Sequence, residues 1–250
     1  MLELPTIVTI AAVFVLAGTV KGVIGLGLPT VSLGLLTVAL DLTTAMALLL
    51  VPSLVTNVWQ AIVGGNGRVV LLRTWPFLLS ATATVWLGAM VMTRVDVAVL
   101  SGLLGGLLVA YATFGLAGAH LTVPASREVW AGPLLGAANG IFTGMTGSFA
   151  VPGVMFLQAI GLTRDALVQA MGMLFTASTV ALAFALQGNR LLSVELGFVS
   201  AAAVIPAAIG MIAGQRIRRR LSEHYFRRVF LIAILVLGVY IVAEAAFGGP

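Results

Sequence analysis

Lys21 is the charged residue with the strongest potential for chemistry, because it lies inside a glycine-rich stretch of an otherwise apolar segment. The glycines around it and the proline that follows are Gly18, Gly22, Gly25, Gly27 and Pro29. Glycine permits unwound backbone and proline suits the first turn of a helix, so one helix can end here and another begin. Free backbone N–H groups at that start, together with the lysine ammonium, could bind an anion. The alternative is a lysine that snorkels from a helix end and sets the orientation of the chain.

The glycine pattern returns 122 residues later as Gly140, Gly144 and Gly147, and Pro152 follows it. Interrupted helices at matching positions of two halves indicate the binding site of a transporter built from repeats. Irregular backbone at membrane depth persists only where it is buried or lines a cavity. We expect free backbone N–H groups at the start of the segment after Pro152 as well. The repetition therefore favours a substrate site between the two breaks, near the membrane midplane. Glycines four residues apart also allow close helix packing, which is the alternative interpretation.

Uncharged polar side chains accompany both breaks and could donate hydrogen bonds to an oxyanion. Asn57 and Gln60 follow the first break, whereas Thr143 and Ser148 flank the second. The same side chains could instead join neighbouring helices. The predicted substrate-binding residues are Lys21, Gly22, Gly25, Gly27, Pro29, Asn57, Gln60, Thr143, Gly144, Gly147, Ser148 and Pro152.

Two acidic residues, Asp41 and Asp165, lie at matching positions before or within the first turn of a long predicted helix. A carboxylate at this position accepts hydrogen bonds from the first free N–H groups of the helix. We therefore predict helix capping for both, with proton coupling as the alternative.

Composition places the chain among helical integral membrane proteins. Hydrophobic residues make up 60% of its 250 residues and charged residues 8%, whereas soluble domains carry about a quarter charged residues. Several apolar stretches of about 20 residues are long enough to cross a bilayer. Basic residues cluster in 216–228, which predicts a cytoplasmic loop and gives no reason to expect a nucleic-acid partner. The first apolar segment lacks a positive leader and a cleavage site, so we expect it to be retained.

The sequence offers no signal for a metal, a cofactor or a catalytic residue. It contains no cysteine, and its two histidines have no partner at metal-ligand spacing. A nucleotide-binding loop is also missing, which argues against ATP-driven transport within this chain. Residues 146–150 do not complete a nucleophile-elbow pattern. We therefore expect no enzymatic activity.

Turn residues and charges divide the chain into ten apolar segments, five in each half. They cover 6–20, 28–40, 43–63, 74–92, 97–117, 129–142, 151–160, 166–186, 194–213 and 226–243. We predict a first repeat over 1–117, a linker over 118–128 and a second repeat over 129–250. About eight helices would cross the membrane fully, while 28–40 and 151–160 are short broken or re-entrant segments. The positive-inside rule favours inverted repeats with both termini outside, whereas the length of the short segments is typical of re-entrant elements.

The two broken stretches resemble the TauE/SafE family of sulfite-exporter-like membrane proteins. The stretches AGTVKGVIGLGLP, at 17–29, and NGIFTGMTGSFAVP, at 139–152, carry the resemblance, which covers essentially the whole chain. Family members resemble duplicated bundles of about eight helices with a glycine-rich break and a proline in each half. The resemblance implies transport of sulfite, sulfonates or related small organic anions, driven by an ion gradient. This chain departs from the family by lacking a run of adjacent glycines at either break.

Together these features predict a secondary transporter of a small anion in the inner cell membrane, working by alternating access between two repeats. Its predicted partners are a small anionic substrate, the lipid bilayer and a coupling ion, either a proton or sodium. A homo-oligomer remains open, as do the identity of the substrate and the direction of transport. The alternatives are a channel, a non-transporting membrane partner protein and, with least support, an intramembrane enzyme.

Overall fold

A computed structural model describes residues 3–118, 121–218 and 223–248, and within these ranges the chain is helical and contains no strand. Parts of the predicted linker and of the basic segment, residues 119–120 and 219–222, lie outside the described residues. The helices of the described part are α1 (Leu4–Ile24), α2 (Leu28–Ala39), α3 (Leu42–Ile62), α4 (Gly67–Ala83), α5 (Val85–Met92), α6 (Val97–Leu116), α7 (Ala125–Thr146), α8 (Gly153–Ala159), α9 (Arg164–Gly188), α10 (Val194–Ala202), α11 (Val204–Arg218) and α12 (Glu223–Phe247).

In the described part of the chain, 7 segments are long and apolar enough to cross a membrane. Each of the pairs α4–α5 and α10–α11 counts as one such segment. The helix α7 spans 22 residues but is not among the seven, because polar residues and glycines lower its apolarity. The helical membrane class predicted from composition is confirmed, whereas the expected number of eight crossing helices is not reached by this criterion.

The two short segments remain short as helices. The helix α2 has 12 residues and α8 has 7. At 1.5 Å per residue these helices are about 18 Å and 10 Å long, against a hydrocarbon core of about 30 Å. Neither is long enough to cross a bilayer by itself, in agreement with the expectation of broken or re-entrant segments.

Most helices extend beyond the predicted apolar segments. The helix α4 begins at Gly67 instead of residue 74, so that Arg68 and Arg73 are helical, and α7 continues to Thr146 instead of ending at residue 142. Hydropathy marks the part of a helix that suits the membrane, but backbone hydrogen bonding continues into polar residues at its ends. The predicted boundaries were therefore too narrow for these helices, whereas 28–40, 97–117 and 151–160 were slightly too wide.

The chain divides into two compact units, and each takes helices from both predicted repeats. The first unit comprises the described residues of Met1–Pro52, Asp96–Gly118 and Leu191–Pro250, and the second those of Ser53–Val95 and Ala119–Arg190. The helix α3 passes from one unit to the other at Pro52. The two predicted repeats, 1–117 and 129–250, do not coincide with the two compact units. Their equivalence is based on the order of segments in the sequence, and it stays a prediction.

In the first unit, α1 packs against α11 and α6 packs against α12. The second pair meets at glycines on both helices, since a Cβ added to Gly105 would meet the carbonyl oxygen of Gly238 at 2.8 Å and one added to Gly238 would meet that of Gly105 at 2.9 Å. Such small residues let helix backbones approach closely, which is how helices associate in lipid.

In the second unit, α7 packs along α4 and α5, and α9 contacts both α4 and α5. The side of α7 that faces α4 is glycine-rich, and Phe156 of α8 stacks on Phe77 with ring centroids 4.8 Å apart. Arg73 of α4 forms a paired hydrogen bond with Glu128 of α7, at 2.9 Å from Nε and 2.6 Å from Nη2. Its Nη2 also donates to the carbonyl oxygen of Ile160, at 2.7 Å, and so joins α4 to the start of α7 and the end of α8.

Candidate functional site

The third glycine of each repeated pattern ends a helix. Gly25 has φ 80° and Gly147 has φ 73°, both in the left-handed region that favours glycine. The N–H of Gly25 donates to the carbonyl oxygen of Lys21 at 2.8 Å, and that of Gly147 to Thr143 at 2.7 Å. The two predicted helix breaks are therefore present. Lys21 and Thr143 occupy the same place relative to them.

The first two glycines of each pattern pack helices together. A Cβ on Gly18 would strike the carbonyl oxygen of Ala207, and one on Gly22 that of Met211, both on α11.

The second copy is alike, because a Cβ on Gly140 would meet the carbonyl oxygen of Ala81 in α4, and one on Gly144 that of Val85 in α5. Close packing is thus the observed role of these four glycines, as the alternative interpretation expected. Any part that Gly22 or Gly144 has in binding stays a prediction.

The side chain of Lys21 is buried in the first unit, with a relative exposure of 5%. It lies in the last turn of α1, at the first break. A buried ammonium is costly unless surrounding groups compensate its lost hydration. Burial is not the geometry of a snorkelling lysine, whose charged group reaches water. Lys21 is therefore a buried residue of the first unit, and its part in anion binding stays a prediction.

The first break leads into α2 through two glycines. Gly27 adopts φ 105° and is the residue before α2, whose second residue is Pro29. A Cβ on Gly27 would lie 3.0 Å from the side chain of Val20, so both backbone angle and space favour glycine. The carbonyl oxygen of Gly27 accepts the N–H of Val31 at 2.9 Å, which is the first hydrogen bond of α2. The predicted break–proline–helix order is observed.

The second break is held by side chains of α7. The Thr143 hydroxyl donates to the carbonyl oxygen of Ser148 at 3.0 Å, and the Ser148 N–H donates to Thr146 Oγ1 at 3.2 Å. Beyond Pro152, the N–H of Gly153 donates to Asn139 Oδ1 at 2.9 Å. The expectation of a free N–H group at the start of this short segment is wrong for Gly153, because a buried amide already accepts it.

Two of the predicted polar residues lie on α3 in the second unit. Gln60 donates through Nε2 to the carbonyl oxygen of Val168 in α9, at 2.8 Å. Gln169 of α9 donates in return to the carbonyl oxygen of Ala61, at 2.8 Å. These amides join the end of α3 to the start of α9, which is the helix-joining role given above as an alternative. Asn57 is fully buried one turn earlier on α3.

The two acidic residues behave differently. Asp41 caps α3, since its Oδ1 accepts the N–H of Thr44 at 2.9 Å and its Oδ2 accepts the Thr44 hydroxyl at 2.5 Å. Asp165 lies in the first turn of α9, whose N-cap is Thr163. Capping is confirmed for Asp41 by these contacts. Among the described residues, no group of three or more acidic or histidine side chains is placed to hold a metal ion.

The most informative buried polar residue that the sequence reasoning missed is Asn139. It belongs to the second glycine-rich stretch and sits one helical turn before Thr143, on the same face of α7. Its signal was an amide within a long helix, but only the structure shows that this amide contacts the start of α8. Ser178 and Thr179 of α9, with exposures of 0% and 1%, are further buried polar residues of the same unit.

Comparison with known proteins gives one positive result. A family model described as Sulfite exporter TauE/SafE matches residues 10–241, which is nearly the whole chain. Comparison with curated proteins gave no match, and neither did comparison with solved structures. The matched region includes both helix breaks and every residue of the predicted site.

Proposed function

Because the chain belongs to the Sulfite exporter TauE/SafE family, we propose that it is a secondary transporter of a small anion. The proposed substrates are sulfite, a sulfonate or a related organic anion. Transport would proceed by alternating access between two repeats and would be coupled to a proton or a sodium ion. As a multi-pass membrane protein the chain has the lipid bilayer as its surroundings, and we propose the inner cell membrane as its location.

The observation that carries the proposal is the buried lysine at a helix break. Lys21 is enclosed by protein in the last turn of α1, four residues before the glycine that ends the helix. Ionisable residues within membrane segments are expensive and are retained mainly on substrate or ion pathways. A cation buried beside irregular backbone suits an anionic substrate.

The proposed substrate contacts are divided between the two compact units. In the first unit these are Lys21, Gly22, Gly25, Gly27 and Pro29. In the second unit they are Asn57, Gln60, Thr143, Gly144, Gly147, Ser148 and Pro152. The lysine supplies charge, the glycines and prolines shape the backbone, and the hydroxyl and amide groups supply hydrogen bonds. The contacts of Gln60 with α9 and of Gly22 and Gly144 with neighbouring helices suit a positioning role for these three.

Flux of radiolabelled sulfite and sulfoacetate into liposomes that contain the purified protein tests the proposal. We expect saturable flux that responds to an imposed proton or sodium gradient. Lys21→Ala should lower the flux about tenfold or more, because a hydrogen bond to a charged group is worth about 1.5–3 kcal/mol. Arg68→Ala, which removes an exposed cation of α4, is the matched control and should leave flux unchanged.

Normal flux through a well-expressed Lys21→Ala protein would remove Lys21 from the site. Flux that does not saturate would favour a channel, and absence of flux for every anion tested would favour a non-transporting partner protein. Turnover of a lipid or peptide would revive the intramembrane enzyme. Sedimentation of the detergent-solubilised protein at several concentrations would show whether a homo-oligomer forms.

A further inference from the structure

Hydroxyl groups on the helices of this chain commonly bond back to a carbonyl oxygen of the preceding turn. Thr176 of α9 does so, with its hydroxyl 2.7 Å from the carbonyl oxygen of Gly172, and further examples are Thr9, Thr19, Ser32, Thr74, Thr82, Thr84 and Thr146. Ser178 and Thr179, on the same helix as Thr176, do not form such a hydrogen bond. Both are buried, and among the described residues their hydroxyl oxygens have no hydrogen-bond partner.

The Asn139 amide on α7 is a second buried group of this kind. Its Oδ1 accepts the N–H of Gly153 at 2.9 Å, and this bond fixes which side of the amide is the oxygen. Nδ2 must therefore point to the other side, where it has no acceptor among the described residues. Asn139 has an exposure of 0%, so bulk water does not satisfy the two N–H bonds of Nδ2.

Asn139 and the middle of α9 are brought together by Gly153. A Cβ added to Gly153 would meet Asn139 Oδ1 at 2.5 Å and Leu174 Cδ2 at 2.9 Å. Ser178 follows Leu174 by four residues, so it lies on the same face of α9, about 6 Å further along the helix axis. Ser178 therefore lies one turn beyond Leu174, an α9 residue beside the contact between Asn139 and Gly153.

The two helices run in the same direction. On α7, Gly132 lies near Phe77 and Gly144 near Val85, so α7 runs parallel to α4–α5. Gly67 at the start of α4 lies against Gln169 near the start of α9, and Gly188 at the end of α9 lies against Trp86 of α5. The helix α9 is therefore also parallel to α4–α5, and so to α7.

Parallel helices advance together, so the turn of α7 after Asn139 lies beside the turn of α9 after Leu174. Thr143 belongs to the first of these turns and Ser178 to the second. The second break, whose loop is held by Thr143, therefore adjoins these two turns.

The groups without partners in this region share one chemical property. An amide Nδ2 can only donate, and the Ser178 hydroxyl can donate as well as accept. Buried donors without partners are rare in proteins, since each lacks the hydration it would have in water. The complementary ligand is one rich in acceptor oxygens.

We propose that Asn139 and Ser178 bind an oxygen-bearing group of the transported anion, a sulfite or sulfonate oxygen, within the second unit. This assignment rests on the proposed function and adds two residues to its binding site. The site uses neutral donors held in a buried setting, where a hydrogen bond to a charged acceptor is stronger than one between neutral groups. Thr179 lies beside Ser178 but points about 100° away around α9, given 3.6 residues per turn.

Ser178→Ala is the first test. A purely structural hydroxyl without a partner would contribute no binding energy, and its removal would leave ligand affinity unchanged. We expect instead that the ligand-free melting temperature stays the same or rises, while the Kd for sulfite or sulfoacetate increases about ten- to a hundredfold. The control is Thr176→Val on the same helix, whose hydroxyl bonds to Gly172; it should leave the Kd unchanged.

Asn139→Asp is the second test. The aspartate keeps the oxygen that accepts the Gly153 N–H but replaces the donor Nδ2 by a carboxylate oxygen. We expect a folded protein whose melting temperature no longer rises with sulfite or sulfoacetate, because the new oxygen repels the anion. A ligand binding only the folded state raises the melting temperature by mass action, so this readout needs no transport assay.

The outcomes separate this proposal from the proposed function. If the unsubstituted protein binds and transports an anion and both variants bind it equally well, Asn139 and Ser178 bind only water or nothing, and this assignment is wrong. If the unsubstituted protein shows neither binding nor flux with the anion panel, the transporter proposal fails and this one fails with it. Loss of binding in both variants with Thr176→Val unaffected supports it.

Discussion

Gly25 and Gly147 end their helices in a backbone conformation that residues with a Cβ avoid, at φ 80° and 73°. The same device places Lys21 at one break and Thr143 at the other, each four residues before its glycine. The two breaks thus share a backbone and differ in chemistry. One carries a buried charge, and the other carries a hydroxyl that already bonds to the loop. At the residue scale, the two breaks are therefore asymmetric.

Gly25→Ala tests the backbone part of this argument. A Cβ at this position would meet nothing within 4 Å, so any effect comes from the positive φ and not from crowding. We expect a loss of about 1–2 kcal/mol in the free energy of unfolding, the usual cost of the left-handed conformation for other residues. Thermal unfolding in detergent, with and without sulfite, is the measurement.

Gly106→Ala supplies the matched control. This glycine is exposed in the middle of α6, and a Cβ there would also meet nothing within 4 Å. Alanine in a helix interior is favoured over glycine by about 0.5–1 kcal/mol, so this variant should be unchanged or more stable. Equal behaviour of the two variants would contradict the argument from φ.

At the scale of elements, α3 is interrupted by a proline that a serine of another helix compensates. Pro52 has no N–H, so the carbonyl oxygen of Leu48 lacks its usual helical partner. The Ser200 hydroxyl of α10 donates to that oxygen at 2.8 Å and accepts the N–H of Val51 at 3.1 Å. With an exposure of 1%, Ser200 replaces the missing backbone bond in a place that water does not reach.

Ser200→Ala should therefore destabilise the fold by about 1–3 kcal/mol, the cost of leaving a buried carbonyl unpaired. Ser32→Ala is the control, because Ser32 is equally buried but bonds only to carbonyl oxygens of its own helix, at Leu28 and Pro29. The loss in the free energy of unfolding should be clearly smaller for Ser32→Ala than for Ser200→Ala. Equilibrium unfolding in mixed micelles compares the two.

The double variant Pro52→Ala with Ser200→Ala, compared with each single variant, gives a double-mutant cycle that tests whether Ser200 acts through the proline. Alanine at position 52 restores the N–H that the Leu48 carbonyl oxygen lacks, so the second substitution should cost less in this background. Additive losses would mean that Ser200 acts through something other than the proline.

Sequence patterns predicted the helices well and their partners poorly. The breaks at Gly25 and Gly147 could be predicted because the conformational needs of glycine are local. The packing of α1 on α11 could not, since which helix meets the glycines of α1 depends on the whole chain. For the same reason the role of Ser200 could not be predicted from sequence, because its hydrogen bonds compensate for Pro52, about 150 residues earlier in the sequence.

The candidate site shows the same division. Lys21 was chosen because a charge in an apolar segment is conspicuous; the structure shows that it is buried, and its part in binding stays a prediction. Asn139 was missed because its importance comes from a bond to Gly153 that only the fold reveals. Gln60 was included for its polarity alone, whereas the structure shows that its Nε2 joins α3 to α9.

At the scale of the whole molecule, the open question from sequence is whether the repeats are inverted. With the basic segment inside, inverted repeats place Arg68 inside and Arg94 outside, and parallel repeats reverse both. Arg68 lies in the first turn of the single membrane segment Gly67–Met92 and Arg94 follows its end, and both are exposed. The positive-inside rule favours the inverted arrangement, since it leaves fewer arginines outside.

Because the chain contains no cysteine, single introduced thiols can show on which side of the membrane Arg68 and Arg94 lie. Arg68→Cys and Arg94→Cys, each made alone, introduce one thiol apiece, and Arg216→Cys in the basic segment serves as the inside reference. With a membrane-impermeant maleimide, we expect Arg94→Cys to be labelled in intact cells, and Arg68→Cys and Arg216→Cys only after permeabilisation. Labelling of Arg68→Cys in intact cells, with Arg94→Cys protected, would instead require parallel repeats. The short helices α2 and α8 would then turn back within the membrane, because only an even number of crossings in each half keeps both halves in the same orientation. That outcome would conflict with the parallel course of α7 and α9 in the second unit, which requires the chain between them to return along their length.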